Sequence, residues 1–399
     1  MSNKTQEILD LYKAKVMPTY TPSVVITSGK GVIVRDVEGM SYYDFTSGIG
    51  VNSVGYANPA VVKAIQDQAA ALIHCSNLYV NAPATLLASK LVELSGLNGK
   101  VFFCNSGAEA NEAALKLARK WGSQNGGRYE VVTFRQGFHG RTLATVAATA
   151  QAWCQEGYDP LPIGFAYADY NDLESVKAAI NDKTVAIMLE AVQGEGGVTP
   201  ATEEFMKGVR ALCDEKKLLM IVDEVQAGIG RTGKWFAWQN FDVQPDLFTC
   251  AKAIAGGIPM GALIASEKYA DVFTASAHAS TFGGNPVAAA AGLAVISEIE
   301  NRSLLDNCVK VGAILKEKLE EFADKYDKLL DVRGMGLMLG LVTENPAKEV
   351  VEAFKAQGLL TLTAGEHVVR FLPPLTLAEN EVDDVCDMIS DALDCCYGE

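Results

Sequence analysis

Two residues of this chain form a pattern that suits carbonyl chemistry. Asp223 ends the apolar run Leu219–Asp223, and Lys252 lies in the small, apolar stretch Thr249–Gly257. Apolar surroundings disfavour a protonated lysine, so Lys252 can become an amine that attacks an aldehyde. A fixed carboxylate such as Asp223 can keep a ring nitrogen protonated, as pyridoxal phosphate (PLP) requires when it acts as an electron sink. The pair therefore predicts an aldehyde cofactor.

Each residue of this pair also has an ordinary structural interpretation. An aspartate after a buried strand is most often a turn former. A lysine in an apolar stretch usually extends its ammonium group to solvent. The prediction of carbonyl chemistry therefore depends on further motifs.

A phosphate-binding turn is predicted where the strand Lys100–Cys104 runs into a helix. Ser106 and Glu109 have the spacing of a capping box, so the helix should begin there. Gly107 allows an anion to approach the backbone, and amide groups at the positive end of a helix suit a phosphate. A capped helix without a ligand is the alternative explanation.

A glycine pattern at Gly228–Gly233 matches the dinucleotide-binding motif GxGxxG and follows a strand. The residues after it, Lys234–Trp238, predict no amphipathic helix, so the context of that motif is missing. The sequence therefore disfavours NAD binding. Nine scattered cysteines without CxxC spacing predict neither a zinc site nor a disulfide framework, and we expect no metal.

Composition limits the classes of partner. The 399 residues are 49% apolar and carry a net charge of −15, which disfavours nucleic acid and anionic membranes. The start of the chain lacks an apolar signal segment, and the longest apolar run, Pro286–Ile296, is too short to cross a bilayer. We therefore expect a cytoplasmic protein that binds small molecules.

Alternating strand and helix patterns predict an α/β fold with a mostly parallel sheet, because the strand runs are almost continuously apolar. A hairpin closed by Glu38 and Gly39 is predicted near the start. The expected organisation is an N-terminal segment (1–60) that packs with a small domain, a large cofactor-binding domain (61–296) and a smaller C-terminal α+β domain (297–399).

Six motifs in chain order are Ser106–Asn111, Phe138–Arg141, Glu190–Glu195, Asp223–Gln226, Lys252 and Thr281–Pro286. Together they resemble the motifs of the class III, PLP-dependent aminotransferases of fold type I. The resemblance spans nearly the whole chain. Met17–Tyr20 and Ser76–Tyr79 also resemble segments of the bacterial members that act on acetylornithine.

This resemblance implies a cofactor role for several residues. Lys252 would bind the PLP aldehyde covalently and, once freed, move a proton between the substrate carbon and the cofactor. Asp223 would hold the ring nitrogen, Gln226 would face the phenolic oxygen, and Phe138 would stack on the ring unless it is an ordinary core aromatic. Further cofactor contacts are expected from Ser106, Gly107, Ala108, Glu224, Val225 and Thr281.

Thr281 is similar to a residue that reaches the cofactor phosphate of the neighbouring subunit in these enzymes. The resemblance therefore implies a homodimer with shared active sites. Composition alone does not indicate this assembly.

Two arginines, Arg141 and Arg370, suit a substrate with two carboxylates, since each guanidinium binds a carboxylate through paired N–H groups. The resemblance implies that Arg370 binds the α-carboxylate of glutamate. Arg141 would bind the distal carboxylate, whose place is taken by the α-carboxylate of an ω-amino donor. Glu190 could pair with Arg370 when the donor lacks a second carboxylate, and Glu195 is expected in the same pocket. Surface salt bridges are the alternative.

Two positions depart from the family pattern. Ala191 stands where many relatives have proline, which could alter how rigidly Glu190 is held. Ile49 stands where the ornithine aminotransferases have tyrosine, so no hydroxyl is offered to a free α-amino acid. This favours an acylated donor but also fits relatives that use 4-aminobutyrate. Ser280 is a further candidate contact of the donor.

The resemblance implies transfer of the terminal amino group of N2-acetyl-L-ornithine to 2-oxoglutarate, a step of arginine biosynthesis that gives N-acetyl-L-glutamate 5-semialdehyde and L-glutamate. Succinylornithine, 4-aminobutyrate and N-succinyl-diaminopimelate are alternative donors. A PLP aminomutase, which needs no keto acid, and a non-catalytic α/β binding protein are alternatives of other classes.

Overall fold

A seven-stranded sheet forms the centre of the protein in a computed structural model that describes residues 3–398. The helices are α1 (Asn3–Lys15), α2 (Ser47–Gly50), α3 (Pro59–Ala71), α4 (Ala82–Ser95), α5 (Gly107–Gln124), α6 (Leu143–Ala148), α7 (Ala152–Gln155), α8 (Leu173–Ala179), α9 (Glu203–Lys216), α10 (Pro286–Asn301), α11 (Leu304–Lys325), α12 (Ala347–Ala356) and α13 (Glu379–Tyr397).

The strands are β1 (Ile26–Lys30), β2 (Ile33–Asp36), β3 (Ser41–Asp44), β4 (Lys100–Cys104), β5 (Glu130–Phe134), β6 (Phe165–Ala168), β7 (Thr184–Glu190), β8 (Val192–Gln193), β9 (Thr199–Pro200), β10 (Leu219–Asp223), β11 (Leu247–Cys250), β12 (Gly261–Ala265), β13 (Leu329–Met335), β14 (Met338–Thr343), β15 (Leu359–Leu360), β16 (Leu362–Thr363) and β17 (Val368–Phe371).

The central sheet has the strand order β4-β12-β11-β10-β7-β5-β6. Its pairs are parallel except those of β12, which runs antiparallel to both β11 and β4. Every residue of β7, β10 and β11 is buried, because helices cover both faces and each face must be apolar. The predicted mostly parallel α/β sheet is confirmed.

The two ends of the chain meet in a second sheet. The hairpin of β2 and β3 is antiparallel, as predicted, and Leu359 and Leu360 of β15 add to β3 in parallel. A third sheet, β13-β14-β17-β16, is covered by α11 and α12 and carries Arg370 on β17. The domain boundaries at residues 60 and 296 stay a prediction.

The last part of the chain forms the helix α13, which packs on α11 and α12 through buried apolar residues. Within residues 3–398, no helix is long and apolar enough to cross a membrane.

Candidate active site

The carboxyl ends of five parallel strands meet at one edge of the central sheet, where side chains from different strands converge. The residues that follow or end β4, β5, β7, β10 and β11 line one cavity of about 410 Å³. Of the predicted site residues, this cavity is lined by Ser106, Gly107, Ala108, Phe138, Arg141, Glu190, Asp223, Val225, Gln226 and Lys252.

Lys252 begins the 3₁₀ turn Lys252–Ala255, directly after β11, and its backbone is left-handed with φ +43°. Burial lowers the pKa of Lys252, and the positive charge of Arg370 lowers it further against the opposing effect of Glu195. A buried cation loses hydration, so the neutral amine is favoured. This is the state that an amine nucleophile requires.

Asp223 is held by three donors at the end of β10. Its Oδ2 accepts hydrogen bonds from Asn111 Nδ2 (2.7 Å) and His139 Nδ1 (2.8 Å), and its Oδ1 accepts from the Val225 amide (2.9 Å). Burial alone would lower the pKa of His139, but its contact with Asp223 raises the pKa overall. The contact thus favours the protonated form of His139, in which Nδ1 donates to Asp223.

Three residues of this network have no role in the sequence analysis: Asn111, His139 and Thr249. Asn111 lies in the second turn of α5, from which it reaches Asp223, and Thr249 Oγ1 donates to Asn111 Oδ1 (2.6 Å). His139 stands next to Phe138 in one of the six motifs, which is a signal that could have identified it. Their convergence depends on tertiary packing, which spacing does not show.

At the predicted phosphate-binding turn, the helix α5 begins where the sequence indicates, with Ser106 as its N-cap. Ser106 Oγ accepts from the Glu109 amide (3.1 Å), while the Glu109 carboxylate accepts from the amide of Asn105 (2.7 Å) instead of that of Ser106. A Cβ on Gly107 would lie 2.6 Å from Val225 Cγ1, so this position admits only glycine without movement. The turn thus leaves backbone amides open at the start of α5, which suits a phosphate.

Arg370 reaches the cavity edge from β17 and is paired with Glu195. Arg370 Nη1 lies 2.7 Å from Glu195 Oε1 and 2.9 Å from Gln226 Oε1, and Gln226 Nε2 donates to the same Glu195 carboxylate (3.2 Å). Burial alone would raise the pKa of Glu195, but the Arg370 charge and hydrogen bond hold it below its usual range.

In this structure Arg370 pairs with Glu195 and not with Glu190. Glu190 ends β7, fully inside the protein, and its carboxylate accepts from the backbone amides of Phe138 (3.0 Å) and Gly194 (3.2 Å). Burial raises the pKa of Glu190 to about 7. Glu195 lies beyond β8 on the following turn, from which its side chain faces Arg370.

Arg141 is held by aromatic rings. Its guanidinium carbon lies 4.5 Å from the centre of the Trp153 ring and 5.6 Å from that of the Phe138 ring. Within residues 3–398, no oxygen atom accepts a hydrogen bond from the Arg141 side chain. Its N–H groups are free to bind a carboxylate.

Several predicted residues do not line the cavity. Glu224 is the clearest correction, because its carboxylate faces away and accepts from the backbone amides of Ala237 (2.8 Å) and Trp238 (2.9 Å). Its role in this structure is to hold a turn. The other predicted residues outside the cavity lining are Ile49, Glu195, Ser280, Thr281 and Arg370.

The family profile described as Aminotransferase class-III matches residues 15–393. The chain belongs to the class III aminotransferases. It is 46% identical to the acetylornithine aminotransferase of Methanocaldococcus jannaschii, over 92% of this chain and 93% of the relative. It is equally similar (46%) to that of Caldanaerobacter subterraneus subsp. tengcongensis, over 96% of this chain and 98% of the relative.

Solved structures of aminotransferases share the fold of this class III enzyme. The ornithine aminotransferase from Toxoplasma gondii ME49 superposes with a TM-score of 0.95 at 30% identity, covering 98% of this chain and 95% of that one. The N-acetylornithine aminotransferase from Stenotrophomonas maltophilia K279a gives 0.85 at 36% identity, covering 97% and 99%. Another structure of the Toxoplasma gondii enzyme, 31% identical, has PLP at its active site.

Class III aminotransferases depend on PLP, and the residues of this enzyme fit that cofactor. The side-chain donors of Asp223 occupy Oδ2, while Oδ1 accepts only one backbone amide among the described residues and can accept a ring N–H. Gly107 leaves room for a phosphate, and Lys252 supplies the amine. When bound, PLP supplies the electron sink for an amino-group transfer.

Proposed function

We propose that this aminotransferase transfers the terminal amino group of N2-acetyl-L-ornithine to 2-oxoglutarate, as a step of arginine biosynthesis. The proposal depends on one observation: the two arginines differ in whether their N–H groups are already bound. Arg141 has free N–H groups, whereas Arg370 is covered by Glu195. The site therefore offers one carboxylate position that is always open and one that opens only in exchange for Glu195.

This difference suits two substrates that use one cavity in turn. A donor with one carboxylate binds at Arg141 and leaves the ion pair of Arg370 and Glu195 intact. A dicarboxylate such as 2-oxoglutarate or glutamate replaces Glu195 at Arg370, because its second carboxylate can make the same paired contact. Gln226, which bonds to both partners, keeps them aligned.

The chain's own residues supply the proton chemistry. Lys252, with its lowered pKa, would act as the base that moves a proton between the substrate carbon and the cofactor carbon to which the amino group is transferred. Asp223, which accepts hydrogen bonds from His139 and Asn111, would keep the ring nitrogen protonated. Phe138 would hold the ring, while Ser106, Gly107, Ala108 and Val225 would surround the phosphate.

The same proposal includes a cytoplasmic homodimer. Thr281 is exposed and lines a separate recess with His74 and Asn77, so it is available to a neighbouring subunit. Large apolar side chains near this recess are highly exposed, and so extensive an apolar surface is typical of an interface. They are Ile73 (62%), Leu78 (86%), Tyr79 (71%), Val80 (89%) and Phe282 (60%).

The test compares kcat/KM for N-acetylornithine, ornithine and 4-aminobutyrate with 2-oxoglutarate as acceptor, since discrimination between substrates is expressed in that ratio. We expect N-acetylornithine to exceed both others by at least about tenfold. A preference for ornithine or 4-aminobutyrate, or product formation without a keto acid, would contradict the proposal.

A second measurement tests the cofactor attachment. In Lys252→Ala, the visible absorbance of the bound cofactor should be lost and kcat should fall by more than about a thousandfold, because the amine that binds the aldehyde is absent. Lys234→Ala, next to the glycine motif, is the matched control and should leave both unchanged.

A further inference from the structure

Trp153 presents its ring to the arginine that we assign to the donor carboxylate. The Arg141 guanidinium carbon lies 4.5 Å from the centre of this ring and 5.6 Å from that of Phe138. Both distances are within the range in which an aromatic face attracts a cation. Trp153 lies outside the six sequence motifs, and its side chain is 65% exposed at the rim of the site.

Aromatic contacts orient a guanidinium without occupying its hydrogen-bond donors. Arg370 shows the opposite arrangement, since its N–H groups bind Glu195 and Gln226. Throughout residues 3–398, Arg141 makes no such bond, so its donors stay available while two rings limit where it can move. A guanidinium held in this way loses less conformational entropy when a carboxylate binds.

We propose that Trp153 is a positioning and specificity residue for the amino donor, an inference that rests on the function proposed above. Its ring holds Arg141 in place for the donor carboxylate. It also provides an apolar wall for the acyl group of the donor.

The chemistry of the donor supports this second role. In an N-acylated amino acid, the carboxylate and the acylamino group are attached to the same carbon. A carboxylate bound at Arg141 therefore places the acyl group beside the residues that surround this arginine, of which Trp153 offers the largest exposed apolar surface. Burial of an acyl methyl group against an aromatic ring is favourable.

A free α-ammonium group would meet a different environment at the same position. It would lie beside the positive charge of Arg141. The acidic side chains of the site are already engaged: Glu190 by backbone amides, Glu195 by Arg370, and Asp223 by Asn111 and His139. The rim around Trp153 thus favours an acylated donor over free ornithine.

The neighbours of Trp153 fix its position. Cys154 is buried, and Gln155 Nε2 donates to the carbonyl of Thr149 (2.9 Å) and to the hydroxyl of Tyr167 (3.1 Å). These contacts anchor α7 without involving the exposed ring. Substitution of Trp153 should therefore leave the fold intact.

The experiment measures binding of an unreactive probe to the PLP-loaded enzyme by calorimetry. The probe is N-acetyl-L-norvaline, which has the carboxylate and acyl group of the donor but no terminal amine. Trp153→Ala should weaken N-acetyl-L-norvaline binding by about fivefold, the loss expected for one cation–π contact. Trp153→Phe should stay within about twofold of the wild type, because it keeps an aromatic face.

Tyr158→Ala is the matched control, since Tyr158 is an exposed aromatic residue (58%) in the same segment. It should bind N-acetyl-L-norvaline as the wild type does. Trp153→Ala should also lower the kcat/KM ratio of N-acetylornithine to ornithine by about fivefold or more, and the spectrum of the bound cofactor should not change.

The inference would be overturned if Trp153→Ala bound N-acetyl-L-norvaline as the wild type does, or if Tyr158→Ala lost as much affinity. Wild-type activity with N-acetylornithine would still support the proposed function in either case. A wild-type enzyme that neither binds N-acetyl-L-norvaline nor uses N-acetylornithine would instead overturn the proposed function.

Discussion

Arg370 is almost fully buried, and in the proposed function its charge is available to one substrate and hidden from another. Glu195 meets this requirement because its side chain is partly exposed (30%) on a turn and can leave, whereas Arg370 is fixed on β17. An incoming carboxylate can replace Glu195 because it makes the same paired contact with the guanidinium, so the buried charge of Arg370 is never left without a partner. In the proposed function, selection between substrates depends on this exchange.

Glu195→Gln should increase the affinity for the unreactive dicarboxylate glutarate by about fivefold, because glutarate no longer has to displace a charged partner of Arg370. Calorimetric titration of the PLP-loaded enzyme measures this change. Glu190→Gln is the control, since that carboxylate bonds to backbone amides, and its glutarate affinity should not rise. If the glutarate affinity rose in Glu190→Gln but not in Glu195→Gln, Glu190 would be the residue that exchanges with the substrate carboxylate.

At the residue scale, the sequence predicts which residues can take part in the chemistry better than it predicts which side chains contact one another. The carboxylate and lysine at Asp223 and Lys252 are recognisable because each follows an apolar strand. The sequence does not show which glutamate, Glu190 or Glu195, pairs with Arg370, because both belong to one motif. Only the path of the chain through β8 decides which side chain faces Arg370. Pairing depends on contacts between distant segments.

At the scale of elements, the cofactor end of the site is made by close packing of two turns. The turn that starts α5 and the turn after β10 approach so closely that Gly107 contacts the side chain of Val225. The sequence predicts both turns and the N-cap at Ser106. It does not predict that they touch, because their strands are separated in the sheet by β11 and β12.

Gly107→Ala should reduce cofactor affinity by at least about tenfold, because the new Cβ would lie 2.6 Å from Val225 Cγ1 and one of the two turns must move. Val225→Ala removes the opposing methyl groups. The double variant should therefore recover much of the lost affinity, a coupling that a double-mutant cycle of cofactor dissociation constants measures. Additive losses in the double variant would argue against this contact.

Another element, the 3₁₀ turn Ala237–Phe241, is held by the buried carboxylate of Glu224, and burial raises the pKa of Glu224 to about 8. The folded state therefore binds a proton more tightly than the unfolded state, whose glutamate titrates near 4.5. This contribution to stability is complete below about pH 4.5 and is lost as the pH rises to about 8.

Urea denaturation should accordingly show a free energy of unfolding that falls between pH 5 and pH 8, by at most about 5 kcal/mol from this group. Glu224→Ala should remove that part of the slope, while the similar contribution of Glu190 remains. The exposed Glu204→Ala serves as control and should keep the wild-type slope. Parallel slopes in Glu224→Ala and wild type would contradict the assignment.

At the scale of the whole molecule, the site combines distant parts of the chain. The central sheet supplies Asp223 and Lys252, and the C-terminal sheet supplies Arg370. The apolar strand runs predict the central sheet well, since burial on both faces leaves a clear pattern. They do not predict the parallel pairing of β15 with β3, because strands of two residues have too few side chains to show a pattern.

The exposed apolar side chains from Ile73 to Val80 lie beside the recess of Thr281, so the proposed dimer should depend on them. Leu78→Glu combined with Val80→Glu should convert the dimer to a monomer in sedimentation velocity and lower cofactor occupancy, because Thr281 would no longer reach a partner's phosphate site. Leu330→Glu, at an exposed apolar position (59%) on β13, is the control and should remain dimeric. A double variant that stays dimeric with full occupancy would place the interface elsewhere.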